Sequence, residues 1–274
     1  MPDTDKLFAG SIPSLYEAHL VPLIFQPYAD DLAARLKTMS VTRLLELAAG
    51  TGVVTRALTA ATDEKTAVVA TDLNQAMIDH ARTVGTSRQV EWRQADAMQL
   101  PFDDGSFDAV VCQFGAMFFP DKGRAFAETR RVLRPGGRFL FNVWDRIEEN
   151  EFADRVTTAL ESVFPDDPPR FLARTPHGYH DRALIERDLS EGGFAQPARI
   201  ETLAKRSHAA SPSDVAIAYC QGTPLRNEIE ARGPTRLMHA TNIAEQALAK
   251  RFGPGAIDGK IQAHVVLVRK DGLV

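Results

Sequence analysis

Leu44-Leu45-Glu46-Leu47-Ala48-Ala49-Gly50-Thr51-Gly52 is the stretch that decides how the rest of the chain is read. Leu44 to Leu47 is a short apolar run of strand length, and it ends in a turn holding two glycines. Glycine has no Cβ, so a turn of this kind lets the backbone come close to a ligand. Val53 to Ala60 then reads as a helix. Moving outward, Ala67 to Thr71 is a second strand closed by Asp72, followed by a helix over Asn74 to Arg82. Val90 to Arg93 and Phe107 to Cys112 are the third and fourth strands. The helix after them carries Ala125, Phe126, Val132 and Leu133 on one face, and Arg134-Pro135-Gly136-Gly137 stops it before a fifth strand, Phe139 to Trp144. Strands alternating with helices in this way predict an α/β fold with a parallel sheet and right-handed crossovers.

Beyond Trp144 the rhythm changes. Residues 145–181 contain Phe164-Pro165-Asp166-Asp167-Pro168-Pro169 and are too irregular for another strand–helix unit. Asp181 is placed to cap a helix running to Glu191, which Gly192-Gly193 ends. Ala198 to Ala204 reads as a sixth strand and Ile261 to Val268 as a seventh. A direct hairpin between them would need only about 2–5 residues, yet the intervening stretch is far longer. It holds three helix-start signals: Ser211-Pro212, Thr223-Pro224 and Gly233-Pro234. Its last helix carries Leu237, Ala244, Leu248 and Phe252 and ends at Gly253. The insert reads as a helical cap over the sheet. The expectation is therefore a single domain, with a core at about 31–145, 182–206 and 259–270 and cap segments at about 1–30, 146–181 and 207–258.

The chain of 274 residues is 44% hydrophobic and 25% charged, as expected of a soluble globular protein, and its formal net charge is -4. No Lys/Arg run longer than two advertises a face for nucleic acid or anionic membrane. Cys112 and Cys220 have no metal-like spacing, which fits a reducing compartment. Asp3 and Asp5 are the reverse of a positively charged signal n-region. Pro22 interrupts the early apolar stretch Leu20 to Phe25, and nothing approaches the roughly 20 apolar residues of a membrane span. A cytoplasmic location with no membrane span is the expectation.

The strand ends carry the chemistry. Asp72 lies about 20 residues beyond the glycine turn, where a carboxylate can accept from two ribose hydroxyls. Thr55 stands where a dinucleotide G-x-G-x-x-G fingerprint would place its third glycine. Ala95-Asp96-Ala97-Met98 follows the third strand, offering a carboxylate to an adenine amine and an apolar face beside it. Gln113-Phe114 follows the fourth. Ligands of open α/β sheets bind outside the carboxyl ends of the strands, so these four sets converge on one crevice.

In series these segments resemble the class I S-adenosylmethionine (AdoMet)-dependent methyltransferases, in particular the small-molecule type that includes the ubiquinone/menaquinone-biosynthesis-like enzymes. The resemblance rests on residues 45–52, 70–77 and 95–102, on Ser106-Phe107-Asp108, and on Arg131-Val132-Leu133-Arg134-Pro135-Gly136-Gly137, in that order. It implies a Rossmann-like three-layer sandwich whose seven-stranded sheet is mostly parallel with an antiparallel last strand. It also implies AdoMet as cofactor and S-adenosylhomocysteine as product. By resemblance, Glu46 steadies the turn near the methionine ammonium and Gly50 and Gly52 pass close to the methionine moiety, with Ala48 and Thr51 of the same turn also in the cofactor-binding set. Asp72 binds the ribose, Leu73 and Met77 flank the adenine, and Asp96, Ala97 and Met98 recognise it. Gln113 sits near the methionine end. The other reading of Leu73, Met77 and Met98 is plain core packing, and of Asp72 and Asp96, strand-end turn formers.

Methyl transfer from a sulfonium is an in-line displacement that asks the protein to align donor and acceptor and exclude water. A base is needed where the acceptor loses a proton. No residue is marked as catalytic by a motif; His177, His180 and Tyr16 are the candidates. His177-Gly178-Tyr179-His180 offers two imidazoles and a phenol. Only Asp181 joins them, so no metal site is expected. The bland alternative packs Tyr179 and lets His180 and Asp181 begin the next helix. Tyr16 is either folded over the cofactor or a half-buried amphipathic tyrosine. His208, Tyr219, Cys220 and Arg226 fall within the cap, and His80 and His264 read as structural. The acceptor is expected to be a small molecule. Rival readings are an NAD(P)-dependent oxidoreductase, a nucleic-acid methyltransferase and a non-catalytic AdoMet-binding protein. Asp96 and Pro135-Gly136-Gly137 argue against the first. Gln113-Phe114-Gly115-Ala116, in place of Asn/Asp-Pro-Pro-aromatic, argues against the second. No motif names the acceptor atom or an oligomeric state.

Overall fold

A computed structural model describes residues 3–272; the chain ends that the expected domain includes lie outside them. An α-turn, α1 (Ile12–Leu15), runs into a π-helical segment (Tyr16–Phe25) and then α2 (Gln26–Leu36). The Rossmann-like alternation follows: β1 (Arg43–Leu47), α3 (Val53–Ala61), β2 (Ala67–Asp72), α4 (Gln75–Val84), β3 (Glu91–Gln94), β4 (Phe107–Gln113), α5 (Lys122–Val132) and β5 (Leu133–Trp144). After β5 come α6 (Glu151–Val163), the short α7 (Phe171–Arg174), α8 (Arg182–Glu191) and β6 (Arg199–Ala209). The chain closes with α9 (Pro212–Gln221), α10 (Leu225–Ala231), α11 (Arg236–Phe252) and β7 (Ile257–Arg269).

The sheet order is β3-β2-β1-β4-β5-β7-β6. β1 to β5 pair in parallel, whereas β7 runs antiparallel to both β5 and β6. This is the seven-stranded arrangement the resemblance implies. β1, β2 and β4 are buried nearly throughout, because helices cover both faces of a parallel sheet. Leu44, Val110, Phe139 and Phe141 fill the centre of the core. Asp181 caps α8 through Ala183 N–H as expected, and Ser211 caps α9 through Asp214 N–H.

Two differences have physical causes. β6 and β7 pair from Arg199↔Leu267 to Ala209↔Ile257, so both run beyond the residues the sequence marks as strand. Their extra length carries charged residues such as half-buried Lys205 and exposed Arg206 and Asp258, which dilute an apolar pattern. The stretch after Trp144 also contains α6, 13 residues long, where no element is read. Phe152, Val156, Leu160 and Val163 bury one face of it at helical spacing, ahead of the Pro-rich stretch that dominates the reading. Among the described residues, no helix is long and apolar enough to cross a membrane.

Candidate active site

The carboxyl ends of β1 to β5 open onto one cavity of about 190 Å³. The N-terminal segment crosses it: Phe8, Tyr16, Leu20, Ile24 and Phe25 line the wall above the sheet. That segment is tied down at two places. Arg56 on α3 donates to Glu17 at 2.6 Å and to the Thr51 carbonyl at 2.9 Å. Farther out, buried Asp5 takes three hydrogen bonds from the Arg174 guanidinium (2.7, 2.9 and 3.3 Å) and one from Thr175 (2.5 Å).

Asp72 closes β2 and faces the cavity. Its Oδ2 accepts from Gly50 N–H and its Oδ1 from Asn74 N–H, both at 2.8 Å. The carboxylate thereby locks the β1 turn to the β2 turn. Burial pushes its pKa up, and the Asn74 and Gly50 N–H groups pull it back. Asn74 Nδ2 also reaches Oδ1, at 3.5 Å; of the roughly four lone-pair sites of an ionised carboxylate, part stays open to a ligand. Leu73, 47% exposed, and buried Met77 flank this floor, with Asp96, Ala97 and Met98 beside them. Asp96 accepts from Met98 N–H at 2.8 Å, which shapes its turn.

Gln113 ends β4 and is buried. Its amide donates to the Phe25 carbonyl at 3.3 Å, while its Oε1 has no partner among the described residues. Beside it, Phe114 takes a left-handed backbone with φ +49, as Ala48 does with φ +52. Such conformations cost non-glycine residues about 1–3 kcal/mol and cluster at ligand sites. Asn142 holds Phe114 in place, its Oδ1 accepting from Phe114 N–H at 2.9 Å. The Phe114 ring stacks on Trp144 at 3.8 Å and 5°. A Cβ on Gly115 would run into Ala48 Cβ and stand 2.8 Å from Cys112 Sγ. Gly115→Ala is accordingly expected to lower stability by about 1–3 kcal/mol, read from the urea midpoint at unchanged slope.

The structure thus brings nine of the twelve expected cofactor residues to the cavity: Ala48, Gly50, Asp72, Leu73, Met77, Asp96, Ala97, Met98 and Gln113. Glu46, Thr51 and Gly52 do not line it. Glu46 is buried behind the turn and accepts from Thr55 Oγ1 at 2.6 Å; burial raises its pKa to about 8. Thr51 is wholly buried with an unpartnered hydroxyl. Gly52, at φ +86, turns toward the α4 side, where a Cβ would stand 2.9 Å from Trp92.

Of the candidate catalytic residues, Tyr16 and His177 face the cavity and His180 does not. The Tyr16 ring stacks on Phe25 at 4.9 Å over the Gly50 turn, and burial beside Asp72 raises its pKa. His180 instead directs Nδ1 at the His177 carbonyl, 2.9 Å away. Tyr179 packs into the core and donates to Asp188 at 2.9 Å. Tyr219 lines the cavity, whereas Arg226 donates to Ser11 at 2.6 Å on the outside of the cap. His264 is buried and Cys112 and Cys220 are free and buried. The cavity wall the sequence does not reveal is aromatic: Phe118, Phe119, Trp144 and Phe171, with Asn150 and Leu172. The one sequence signal for it is an aromatic residue just past β4, Phe114, and another closing β5, Trp144. Among the described residues, no group of three or more His, Cys, Asp or Glu side chains could hold a metal ion.

An open parallel sheet with an acid after β2, an acid after β3 and an orphaned amide oxygen after β4 defines a nucleoside-binding class of enzyme. Comparison with known proteins makes it specific. Residues 45–141 match the methyltransferase-domain family. The chain is 30% identical over 167 residues to the ubiquinone/menaquinone biosynthesis C-methyltransferase UbiE of Teredinibacter turnerae, covering 56% of this chain and 67% of that one. The YcgJ protein of Bacillus subtilis shares the fold at a TM-score of 0.56 and 19% identity, covering 90% of this chain and all of that one (100%). Phosphoethanolamine N-methyltransferase 2 of Haemonchus contortus, solved with S-adenosyl-L-methionine, does so at 0.57 and 16%, covering 95% and 56%. The chain belongs to the class I AdoMet-dependent methyltransferases. It is an enzyme, and its cofactor is AdoMet.

Proposed function

We propose that AdoMet lies across the carboxyl ends of β3, β2, β1 and β4 and that its methyl group goes to an apolar small molecule held under the helical cap. The observation that carries this reading is Asp72, buried at the cavity floor, held by Gly50 and Asn74 and with acceptor capacity left for a ribose diol. Leu73 and Met77 sandwich the adenine, and Asp96, Ala97 and Met98 take its edge. Ala48 and Gly50 leave room for the methionine chain, whose ammonium would satisfy Gln113 Oε1. Glu46, Thr51 and Gly52 act from behind, shaping the turn. AdoMet supplies an electrophilic methyl on a sulfonium; the chain supplies alignment and exclusion of water.

Sheet order supports the division of the cavity. β2 and β5 are three strand spacings apart, roughly 14 Å, so a nucleoside over β2 leaves the β5 end for the acceptor. From Trp144 onward, the cavity-lining residues include no Asp, Glu, Lys or Arg. That stretch of wall is mostly apolar and suits an apolar acceptor, while Lys6 of the N-terminal segment adds a cationic side chain to the lining of the same cavity. The acceptor wall comes from the N-terminal segment and from residues 144–224, in keeping with a single domain whose cap segments overlie a methyltransferase core. The net charge of -4, the free buried cysteines and the lack of a spanning helix among the described residues support a cytoplasmic site of action. Calorimetric titration of the purified protein with AdoMet, S-adenosylhomocysteine and NADH tests the reading. Micromolar binding of the first two and none of NADH is expected; saturable NADH binding without AdoMet binding would overturn it.

A further inference from the structure

The buried imidazole of His177 stands at the β5 end of the cavity, on the acceptor side of the division above. It is 5% exposed and 5.9 Å from the Trp144 ring. Its Nδ1 lies 2.8 Å from the Asp145 main-chain carbonyl. A carbonyl oxygen only accepts, so Nδ1 carries the proton and Nε2 keeps its lone pair. That carbonyl is fixed in turn. Asn150 donates to it at 3.3 Å, and Gln262 donates to the Asp145 carboxylate at 2.7 Å. His177 N–H donates to the Leu172 carbonyl at 3.0 Å, anchoring the residue from the other side. Nε2 has no hydrogen-bond partner among the described residues, in a ring that lines the cavity between Leu172, Pro176 and Trp144.

We propose that His177 Nε2 receives the proton of a hydroxyl on the methyl acceptor as that oxygen is methylated. The inference rests on the cofactor reading given above. A neutral amine can attack a methyl group before losing its proton, whereas a hydroxyl becomes a competent nucleophile as its proton leaves. The open Nε2, set among Leu172, Pro176 and Trp144, is an acceptor such a hydroxyl can use, since an unmatched buried donor is penalised. In the transfer the acceptor oxygen bonds to the methyl carbon while the carbon–sulfur bond breaks, its electron pair remaining on sulfur. The hydroxyl proton passes to Nε2, and the imidazolium then gives it to solvent. One positive charge is lost at sulfur as one appears on the imidazole, so the cavity's net charge does not change. Burial lowers the ring's pKa to about 4, so the imidazole starts the step neutral, and the imidazolium, disfavoured there, passes its proton on.

Phenol and its methyl ether anisole are the probes, titrated calorimetrically into protein saturated with S-adenosylhomocysteine. Phenol is expected to bind about tenfold more tightly than anisole, the worth of one buried hydrogen bond, and the ratio should fall to near one in His177→Phe. Equal affinities in the unaltered protein, an unchanged ratio in the variant, or no binding of either would overturn the proposal. Nitrogen-detected NMR of the unaltered protein supplies a second readout that needs no variant. Near neutral pH the His177 ring should be the Nδ1–H tautomer, and phenol should shift the Nε2 resonance. An Nε2–H tautomer would exclude the role. AdoMet binding should survive in His177→Phe; its loss in the unaltered protein would point to the cofactor reading instead.

Discussion

Asp72→Ala should lower AdoMet affinity by about two to four orders of magnitude, measured by calorimetry. Two hydrogen bonds from ribose hydroxyls to a charged acceptor contribute about 1.5–3 kcal/mol each, and each 1.4 kcal/mol is tenfold in affinity. The substitution acts on the fold as well, because Gly50 N–H and Asn74 N–H both donate to this carboxylate. Asp72→Asn separates the two effects. It keeps the volume and one acceptor oxygen, so it should fold closer to the parent while binding AdoMet less tightly than the parent and more tightly than Asp72→Ala. A folded Asp72→Ala protein that binds AdoMet within tenfold of the parent would remove the ribose assignment.

The second large effect concerns Glu46 and pH. Burial, aided by Asp72 nearby, lifts its folded-state pKa to about 8 against the hydrogen bond from Thr55 and the charge of Arg56. The unfolded chain titrates this carboxyl near its ordinary value, about 4.3. Between these values the folded state binds the extra proton, so stability falls as pH rises through that window. His177 works in the opposite sense: its folded pKa is lowered to about 4, so stability falls as pH drops from about 6.5. The two oppose each other in mildly acidic solution, but above about pH 6.5 only Glu46 acts. Glu46→Gln should therefore flatten the stability profile between pH 6.5 and 8.5. At the upper end it should make the ligand-free protein more stable than its parent by about 2–4 kcal/mol. Urea denaturation across that range is the measurement; parallel profiles for parent and variant would show that Glu46 is ionised throughout.

The β1–β4 rim of the cavity, where we propose the cofactor lies, could be picked out in the sequence because each position there makes a demand that few residue types meet. A turn needs a backbone that tolerates close approach, and a ribose needs a carboxylate at the end of β2. Such demands survive as spaced letters in one continuous stretch, residues 46–113. The acceptor side is written differently. Phe8, Phe118, Trp144, Phe171 and Tyr219 come from separated segments, and each is the same kind of residue that fills the core. Apolar periodicity cannot distinguish an aromatic ring facing a cavity from one facing a neighbouring helix. Gly52 shows the reverse failure. The motif marks it as a ligand contact, but its left-handed backbone serves the packing of Trp92 against α4. His177 was legible as a residue of interest, while its tautomer was not, since that depends on Asp145, 32 positions away.

The π-helical segment Tyr16–Phe25 makes the length of the N-terminal region count in single residues. Its hydrogen bonds reach back five positions, as Gln26 N–H does to Val21 O, so it carries more residues per turn than an α-helix. Loss of one residue would let it relax to α geometry. Everything toward the N-terminus would then rotate by about 100° and shift by about 1.5 Å. Tyr16 would leave Gly50 and Glu17 would leave Arg56, although neither had been substituted. Drift among descendants of this gene would thus tolerate changed letters in the segment more readily than an insertion or deletion, and a relative one residue shorter here would present a different face to its ligand.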